Sequence, residues 1–105
     1  MEPFDIYIAN VSWGNDGKTR PVLVYFLENN EVTVFPITTQ YENKSEAIRV
    51  NYFKLNDWAH VGLHKQSYVD TGAPYKFSIT AFRGKAPIGK LTDGDKLRLL
   101  EFLSK

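Results

Sequence analysis

The stretch KTRPVLVYFLENNEVTVFPITTQ, residues 18–40, decides the fold of this chain. Two apolar runs flank Asn29-Asn30, and asparagine tolerates the positive φ angles of tight turns, so the pattern predicts a β-hairpin. Val22–Leu27 is apolar throughout, which indicates a strand buried on both faces. Glu31–Thr38 returns, and Val32, Val34 and Ile37 carry its core signal.

The hairpin brings a basic and a hydroxyl side chain to the same rim of the sheet. In an antiparallel pair centred on the two asparagines, facing positions have numbers that sum to about 59, so Arg20 or Pro21 faces Thr38 or Thr39. A guanidinium matches phosphate geometry, and a threonine hydroxyl adds one directed hydrogen bond. Together they would hold a phosphodiester and stabilise the charge that develops when it is attacked. The alternative is an ordinary surface arginine before a strand.

Composition excludes several classes of function. At 105 residues, with 43% hydrophobic and 24% charged residues, we expect one folded domain over residues 1–105. A net charge of +1 gives no bulk attraction to nucleic acid or membrane. The chain has no cysteine, which excludes disulfides and thiolate chemistry and fits the cytoplasm. We see no signal peptide and no apolar run long enough to cross a membrane.

The rest of the chain reads as short strands and two helical segments. The patterns predict strands over Phe4–Val11, Ala47–Tyr52, Ser67–Thr71 and Tyr75–Phe82, loops over Trp13–Thr19 and Tyr41–Ser45, a helical turn over Asp57–Val61 and a C-terminal helix capped by Thr92. The fold class that follows is α+β and mainly β: a small, partly closed β-barrel with a short helical turn and a C-terminal helix.

The C-terminal helix has an unusually wide apolar face. Leu97, Leu100 and Leu103 form one stripe, and Leu99 and Phe102 broaden it. Such a face needs a sheet and something further to cover it. A subunit interface is one explanation, and a helix sunk deep in its own core is the other.

Other candidate chemistries are weaker. His60 and His64 have the i, i+4 spacing of a zinc pair, but Gly62 is expected to end the helix between them and no third ligand follows. The simpler interpretation is two surface histidines. The glycines of WGNDGKT and GKAPIGK lack phosphate-loop spacing. In the loop before the hairpin, Lys18 would supply a cation and Trp13 a stacking surface for a base, although Trp13 also suits a core.

Four blocks in sequence resemble a known family. TRPVLV, then VFPITTQ, then LNDWAHVGL with the following QS, and finally PIGKLTDGDKLRLLEFL are similar to the MazF/PemK-like toxins of bacterial toxin–antitoxin pairs. The order and spacing hold from DIYIANV to EFL. The resemblance implies an SH3-like barrel, a homodimer, and a sequence-selective, metal-independent endoribonuclease that acts on single-stranded RNA, usually mRNA. It implies no cofactor. The expected partners are that RNA and a small acidic antitoxin.

The resemblance also assigns roles by position. Arg20 corresponds to the catalytic arginine of the RP motif and Thr38 to the catalytic threonine of the IT motif, which Gln40 closes. The implied reaction uses the 2′-OH of the RNA and leaves a 2′,3′-cyclic phosphate and a 5′-OH. Arg20 would stabilise the phosphorane and assist proton transfer, and Thr38 would orient the phosphate. Thr39, Gln40, Trp13 and Lys18 are the accompanying RNA-binding candidates.

One region departs from the family pattern. After Ser67 the chain reads TGAPYKFSIT, longer than its counterpart, and Lys76 is our candidate for the positive charge lost there. Two other functions therefore stay open. One is a relative that poisons DNA gyrase by protein contact and does not need the Arg/Thr pair. The other is an inactive member that only binds RNA or an antitoxin.

Overall fold

The computed structural model describes residues 1–13 and 16–105, and side chains over 1–10 and 19–105. The described residues form seven strands, two α-helices and two 3₁₀ turns. In chain order these are β1 (Asp5–Trp13), β2 (Asp16–Glu28), β3 (Glu31–Thr38), α1 (Glu46–Arg49), β4 (Tyr52–Lys54), a 3₁₀ turn (Trp58–Val61), β5 (Tyr68–Asp70), β6 (Tyr75–Ser78), a second 3₁₀ turn (Ile79–Phe82), β7 (Gly89–Lys90) and α2 (Asp93–Leu103).

The strands form one curled antiparallel sheet. Its order is β4-β5-β3-β2-β1-β7, with β6 also paired to β3. Two strands pair with the same edge of β3: β6 pairs with Glu31–Val34, and β5 pairs with Ile37–Thr38. The sheet therefore bends around β3 into a half-barrel, with the C-terminal helix against it. This confirms the predicted mainly-β, SH3-like, partly closed barrel.

The central hairpin turns where the sequence predicts. Asn29 and Asn30 have φ angles of 49° and 68°, and Glu28 pairs with Glu31 across them. The register then shifts between Val24 and Phe26 at a β-bulge, so that beyond it Val22 pairs with Pro36. Extended by one dipeptide, that register sets Arg20 opposite Thr38. The bulge thus chooses between the pairings that the sequence left open at the rim.

The two faces of the hairpin belong to different cores. Leu23, Phe35 and Ile37 lie in a first core that includes Leu99 of α2. The alternate residues, among them Val22 and Val34, lie in a second core closed by Phe82. The prediction of a doubly buried strand holds for Val22–Val24, each fully buried. It is wrong further on, since Phe26 beside the bulge is 52% exposed.

Three predicted elements are corrected. Ala47–Tyr52 is not a strand: the chain forms α1 and a turn before β4 begins at Tyr52, and Ile48 and Val50 of the supposed inner face are exposed. Local hydrogen bonds from Ile48, Arg49 and Val50 to Ser45 and Glu46 favour the helix.

The other two corrections concern length. Tyr75–Phe82 is a strand only as far as Ser78, because Ser78 caps the second 3₁₀ turn by accepting from Thr80. Trp13–Thr19 is not a long loop, since β1 and β2 pair as far as Trp13 with Asp16.

The C-terminal helix begins at its predicted cap. The Asp95 backbone N–H donates to the Thr92 hydroxyl, and α2 then runs to Leu103. Only part of its apolar face is covered: Leu99 is fully buried, Phe102 and Leu103 pack against the first core, and Leu97 and Leu100 are 66% and 40% exposed. Neither helix in the described part of the chain is long and apolar enough to cross a membrane.

Candidate active site

The open end of the second core carries polar side chains instead of apolar ones. Two cavities of about 310 and 420 Å³ lie there, and both are lined by Arg20, Thr38 and Gln40. Arg20 precedes Val22 by two residues on the same face of β2, and Thr38 follows Pro36 by two residues on the same face of β3. The alternation that buries the valines therefore points a guanidinium and a hydroxyl into one concave surface.

The Thr38 hydroxyl is oriented toward the cavities by a hydrogen bond. Thr38 is largely buried, at 9% exposure, yet it lines both cavities. The Gln40 backbone N–H donates to Thr38 Oγ1 at 3.0 Å. Because a hydroxyl both accepts and donates, this fixes its oxygen and leaves the O–H to donate to an anion. Arg20, half-buried, is anchored through the pairing of β2 with Ala9 of β1.

A second row of side chains lies one dipeptide further along the sheet. Thr38 pairs with Tyr68 of β5, and Asp70, two residues on, pairs with Tyr52 of β4. Asp70, Tyr52 and Pro36 line the smaller cavity together with Arg20. Two residues along a strand span about 6.6 Å, so the carboxylate lies one side-chain row away from the Arg20–Thr38 pair.

Burial perturbs both acidic groups of this row. It raises the pKa of Asp70, while the Gly72 N–H and Lys44 oppose the rise. Burial also raises the pKa of Tyr52, with Asp70 adding to the rise and Arg20 opposing it. The Tyr52 hydroxyl is thus a neutral donor at neutral pH, and it lies within the electrostatic reach of both Arg20 and Asp70.

The loop after β3 is fixed to the cavity by an aromatic stack. Tyr41 stacks on Tyr68, with ring centroids 4.4 Å apart and planes 11° from parallel. The guanidinium of Arg49, a residue of α1, lies 4.8 Å from the centroid of the Tyr41 ring. Arg49 also donates to the backbone carbonyls of Tyr41, at 3.0 Å, and Glu42. These contacts fix the position of the segment that brings Gln40 and Lys44 to the cavity.

The predicted RNA-binding residues divide into three groups. Thr39 and Gln40 are exposed and line the larger cavity beside Arg20. Lys76 is exposed on β6, paired with Thr33, and lines neither cavity. Since its neighbour Tyr75 lines the smaller cavity, strand alternation directs Lys76 away from it. The side chains of Trp13 and Lys18 lie outside the described part of the structure.

Sequence reasoning missed four charged or aromatic residues that line the smaller cavity: Lys44, Tyr52, Asp70 and Tyr75. Lys44 lies in the loop after β3, and the other three come from β4, β5 and β6. Their place depends on which strands pair with which. The one local signal was the pair Asp70 and Gly72, where the Gly72 N–H donates to Asp70 Oδ1 at 3.0 Å. In the sequence, Gly72-Ala73-Pro74 indicates only the end of the preceding strand.

The histidines lie elsewhere. His60 and His64 are both exposed, which agrees with the interpretation as surface residues. Within residues 1–13 and 16–105, no group of three His, Asp or Glu side chains is placed to hold a metal ion.

Comparison with known proteins supports the same fold. Neither protein-family models nor curated protein sequences give a match to this chain. Among solved structures, it is similar to the Mycobacterium tuberculosis toxin MazF-mt6, with 25% identity and a TM-score of 0.71 over 95% of this chain and 92% of that one. A structure described as an Mtb toxin is 23% identical, with a TM-score of 0.64 over 93% and 96% of the two chains.

The curled seven-strand half-barrel with its C-terminal helix is thus the fold of the MazF toxin structure to which this chain is similar. This similarity confirms the resemblance to MazF-like toxins that the sequence blocks show.

Proposed function

We propose that this chain is a toxin endoribonuclease that cleaves single-stranded RNA sequence-selectively, without a metal, by attack of the RNA's own 2′-OH. The observation that carries the proposal is that Arg20 and Thr38 line the same two cavities. The similarity to a MazF toxin supports it.

The chemistry needs no protein nucleophile. The 2′-oxygen bonds to phosphorus as its proton leaves, the bond to the 5′-oxygen breaks, and that oxygen takes up a proton. The products are a 2′,3′-cyclic phosphate and a 5′-OH. Arg20 would bind the non-bridging oxygens and stabilise the added charge of the phosphorane, and Thr38 would orient the phosphate through its O–H.

Cleavage of a long single-stranded RNA in EDTA tests this proposal. Arg20→Ala should lower the rate by about a hundredfold or more, as the loss of one preorganised oxyanion contact does in other enzymes. Arg83→Ala is the matched control: it removes the same charge from an exposed position that lines neither cavity, and should cleave like wild type.

Two further readouts define the reaction. New ends should accept phosphate from polynucleotide kinase directly, because they carry a 5′-OH, and RNA with 2′-deoxyribose at the cut site should stay intact. Equal cleavage by wild type and Arg20→Ala would remove Arg20 from the mechanism. Growth arrest with DNA breaks and intact RNA would favour the gyrase-directed alternative.

We further propose that the chain forms a homodimer and binds a small acidic antitoxin. The support for the dimer is the uncovered part of α2, where Leu97 and Leu100 are exposed. This is a narrower surface than the sequence predicted. Light scattering at micromolar concentration tests it, with Leu97→Lys as the disrupting variant, and a wild-type monomer would overturn it.

A further inference from the structure

The smaller cavity contains a carboxylate that phosphate binding does not explain. Asp70 lines it together with Arg20, Lys44 and Tyr52. A carboxylate beside a phosphate repels it, so a cavity that served only to bind phosphate would gain nothing from Asp70. The position therefore calls for a different ligand group, one that donates hydrogen bonds.

Asp70 is held in place by its own turn. The Gly72 N–H donates to Asp70 Oδ1 at 3.0 Å. The next residue, Thr71, is fixed to β4 by its N–H and its hydroxyl, which donate to the Asn51 carbonyl at 2.9 and 2.7 Å. Among the described side chains, of residues 1–10 and 19–105, the hydrogen bond found for Asp70 uses Oδ1, which leaves Oδ2 to accept from a ligand. An acceptor on a fixed turn is suited to directional recognition.

The spacing fits two parts of one nucleotide unit. The backbone of the Asp70 row lies about 6.6 Å along the sheet from the backbone of the row whose Thr38 would hold a phosphate, a separation of more than two hydrogen-bond lengths. A base attached to the sugar beside that phosphate reaches such a distance. The surrounding surface also suits a base: the rings of Tyr52 and Tyr75 line the cavity, and its volume of about 310 Å³ exceeds that of one nucleobase.

We propose that Asp70 is a specificity-determining residue, whose carboxylate accepts a hydrogen bond from the amino group of a nucleobase next to the scissile phosphate. The inference rests on the proposed ribonuclease function. Adenine, cytosine and guanine present an exocyclic amino group, and carboxylates accept from such groups in nucleic-acid recognition. Uracil has no exocyclic amino group, and its ring N3–H lies between two carbonyl oxygens that face the carboxylate unfavourably. The site selects against uracil at one position of the cut sequence.

The test compares cut-site preferences on a random single-stranded RNA library. Sequencing the 5′-OH ends for wild type should show one position next to the cut where uracil is disfavoured. Asp70→Asn keeps the Oδ1 acceptor for Gly72 and replaces the other oxygen with a donor. We expect it to lose that discrimination by about tenfold or more, at that position only. Glu101→Gln, an exposed charge-matched change on α2, should leave the preference as in wild type.

Two cleavage outcomes would overturn the proposal: an unchanged uracil discrimination in Asp70→Asn, or a loss of rate that is equal at all sequences, which would place Asp70 in proton transfer or in folding. A binding experiment distinguishes failure of this inference from failure of the ribonuclease proposal. If wild type cleaves nothing, the ribonuclease proposal fails. Anisotropy with short oligo(A), oligo(C), oligo(G) and oligo(U) then decides the base site, and equal relative affinities in wild type and Asp70→Asn would rule it out.

Discussion

Asp95 offers the sharpest test of how the fold is held together. It occupies the first turn of α2 beside Asp93, and by sequence the two carboxylates are equivalent partners of the helix dipole. In the structure Asp93 is exposed, whereas Asp95 is 1% exposed. Asp95 accepts the backbone N–H groups of Asn56 and Asp57 at 3.2 and 2.9 Å, and it also pairs with Arg98. It therefore fixes the chain before the first 3₁₀ turn to the C-terminal helix.

The expected cost of Asp95→Ala follows from those contacts. Two partly buried N–H groups each lose a charged acceptor, and such bonds contribute about 1.5–3 kcal/mol apiece. The Arg98 side chain is 39% exposed, so its ion pair adds little after screening. We expect a loss of about 3–5 kcal/mol in the free energy of unfolding, and a fall in Tm of roughly 15–30 °C.

Urea denaturation followed by far-UV circular dichroism measures this loss. Asp93→Ala is the matched control and should cost only about 0.3–1 kcal/mol, the usual contribution of an exposed dipole partner. Asp95→Asn, which keeps one acceptor oxygen, should fall between the two. Equal destabilisation by the Asp93 and Asp95 alanine variants would refute the reasoning, since it would mean that burial and the contacts to Asn56 and Asp57 contribute nothing.

Three further predictions concern the cavity and the sheet edge. The raised pKa of Asp70 means that the folded state binds its proton more tightly, so this group's contribution to stability falls as pH rises from about 3.9 through the raised value. The difference in urea midpoint between Asp70→Asn and wild type should be largest near pH 7 and shrink toward pH 4, and a constant difference would contradict this. Arg49→Ala releases Tyr41 and the loop that it fixes, so KM for RNA should rise about threefold to tenfold with kcat nearly unchanged, and Arg49→Lys should not restore it because lysine lacks the fork. A methyl group at Gly89 would lie 2.5 Å from the Val61 carbonyl oxygen, so Gly89→Ala should cost about 1–3 kcal/mol by thermal melting, and a neutral effect would show that β7 moves freely.

The proposed catalytic pair was within reach of sequence reasoning because it lies on one hairpin. Two asparagines with positive φ fix the turn, and counting outward from it brings Arg20 near Thr38. The count is off by one residue beyond the bulge between Val24 and Phe26. Whether Thr38 or its neighbour faces Arg20 thus depended on an irregularity that leaves no clear mark in the apolar pattern.

Periodicity misled where side chains were not packed against a sheet. Ile48, Val50 and Tyr52 alternate as a strand face would, but Ile48 and Val50 are exposed and the first of them lies in α1. The cause is a set of local hydrogen bonds: the backbone N–H groups of Ile48 and Arg49 donate to the Ser45 carbonyl, and the Arg49 side chain donates to the Tyr41 carbonyl. These bonds use backbone carbonyls, which leave no mark in the apolar pattern.

The sequence by itself determined the elements whose chemistry is local: the Asn29-Asn30 turn, the Thr92 cap of α2 and the left-handed Gly62 that ends the first 3₁₀ turn. Because these turns and caps separate the strands and helices, the sequence also determined the class of barrel. Only the tertiary structure decided the composition of the cavity, where Asp70 and Tyr52 join Arg20 and Thr38, and the burial of Asp95 but not Asp93. The reason is physical. Turns and caps are fixed by backbone angles and hydrogen bonds within a few residues, whereas strand pairing across the chain depends on which surfaces the collapsed core brings together.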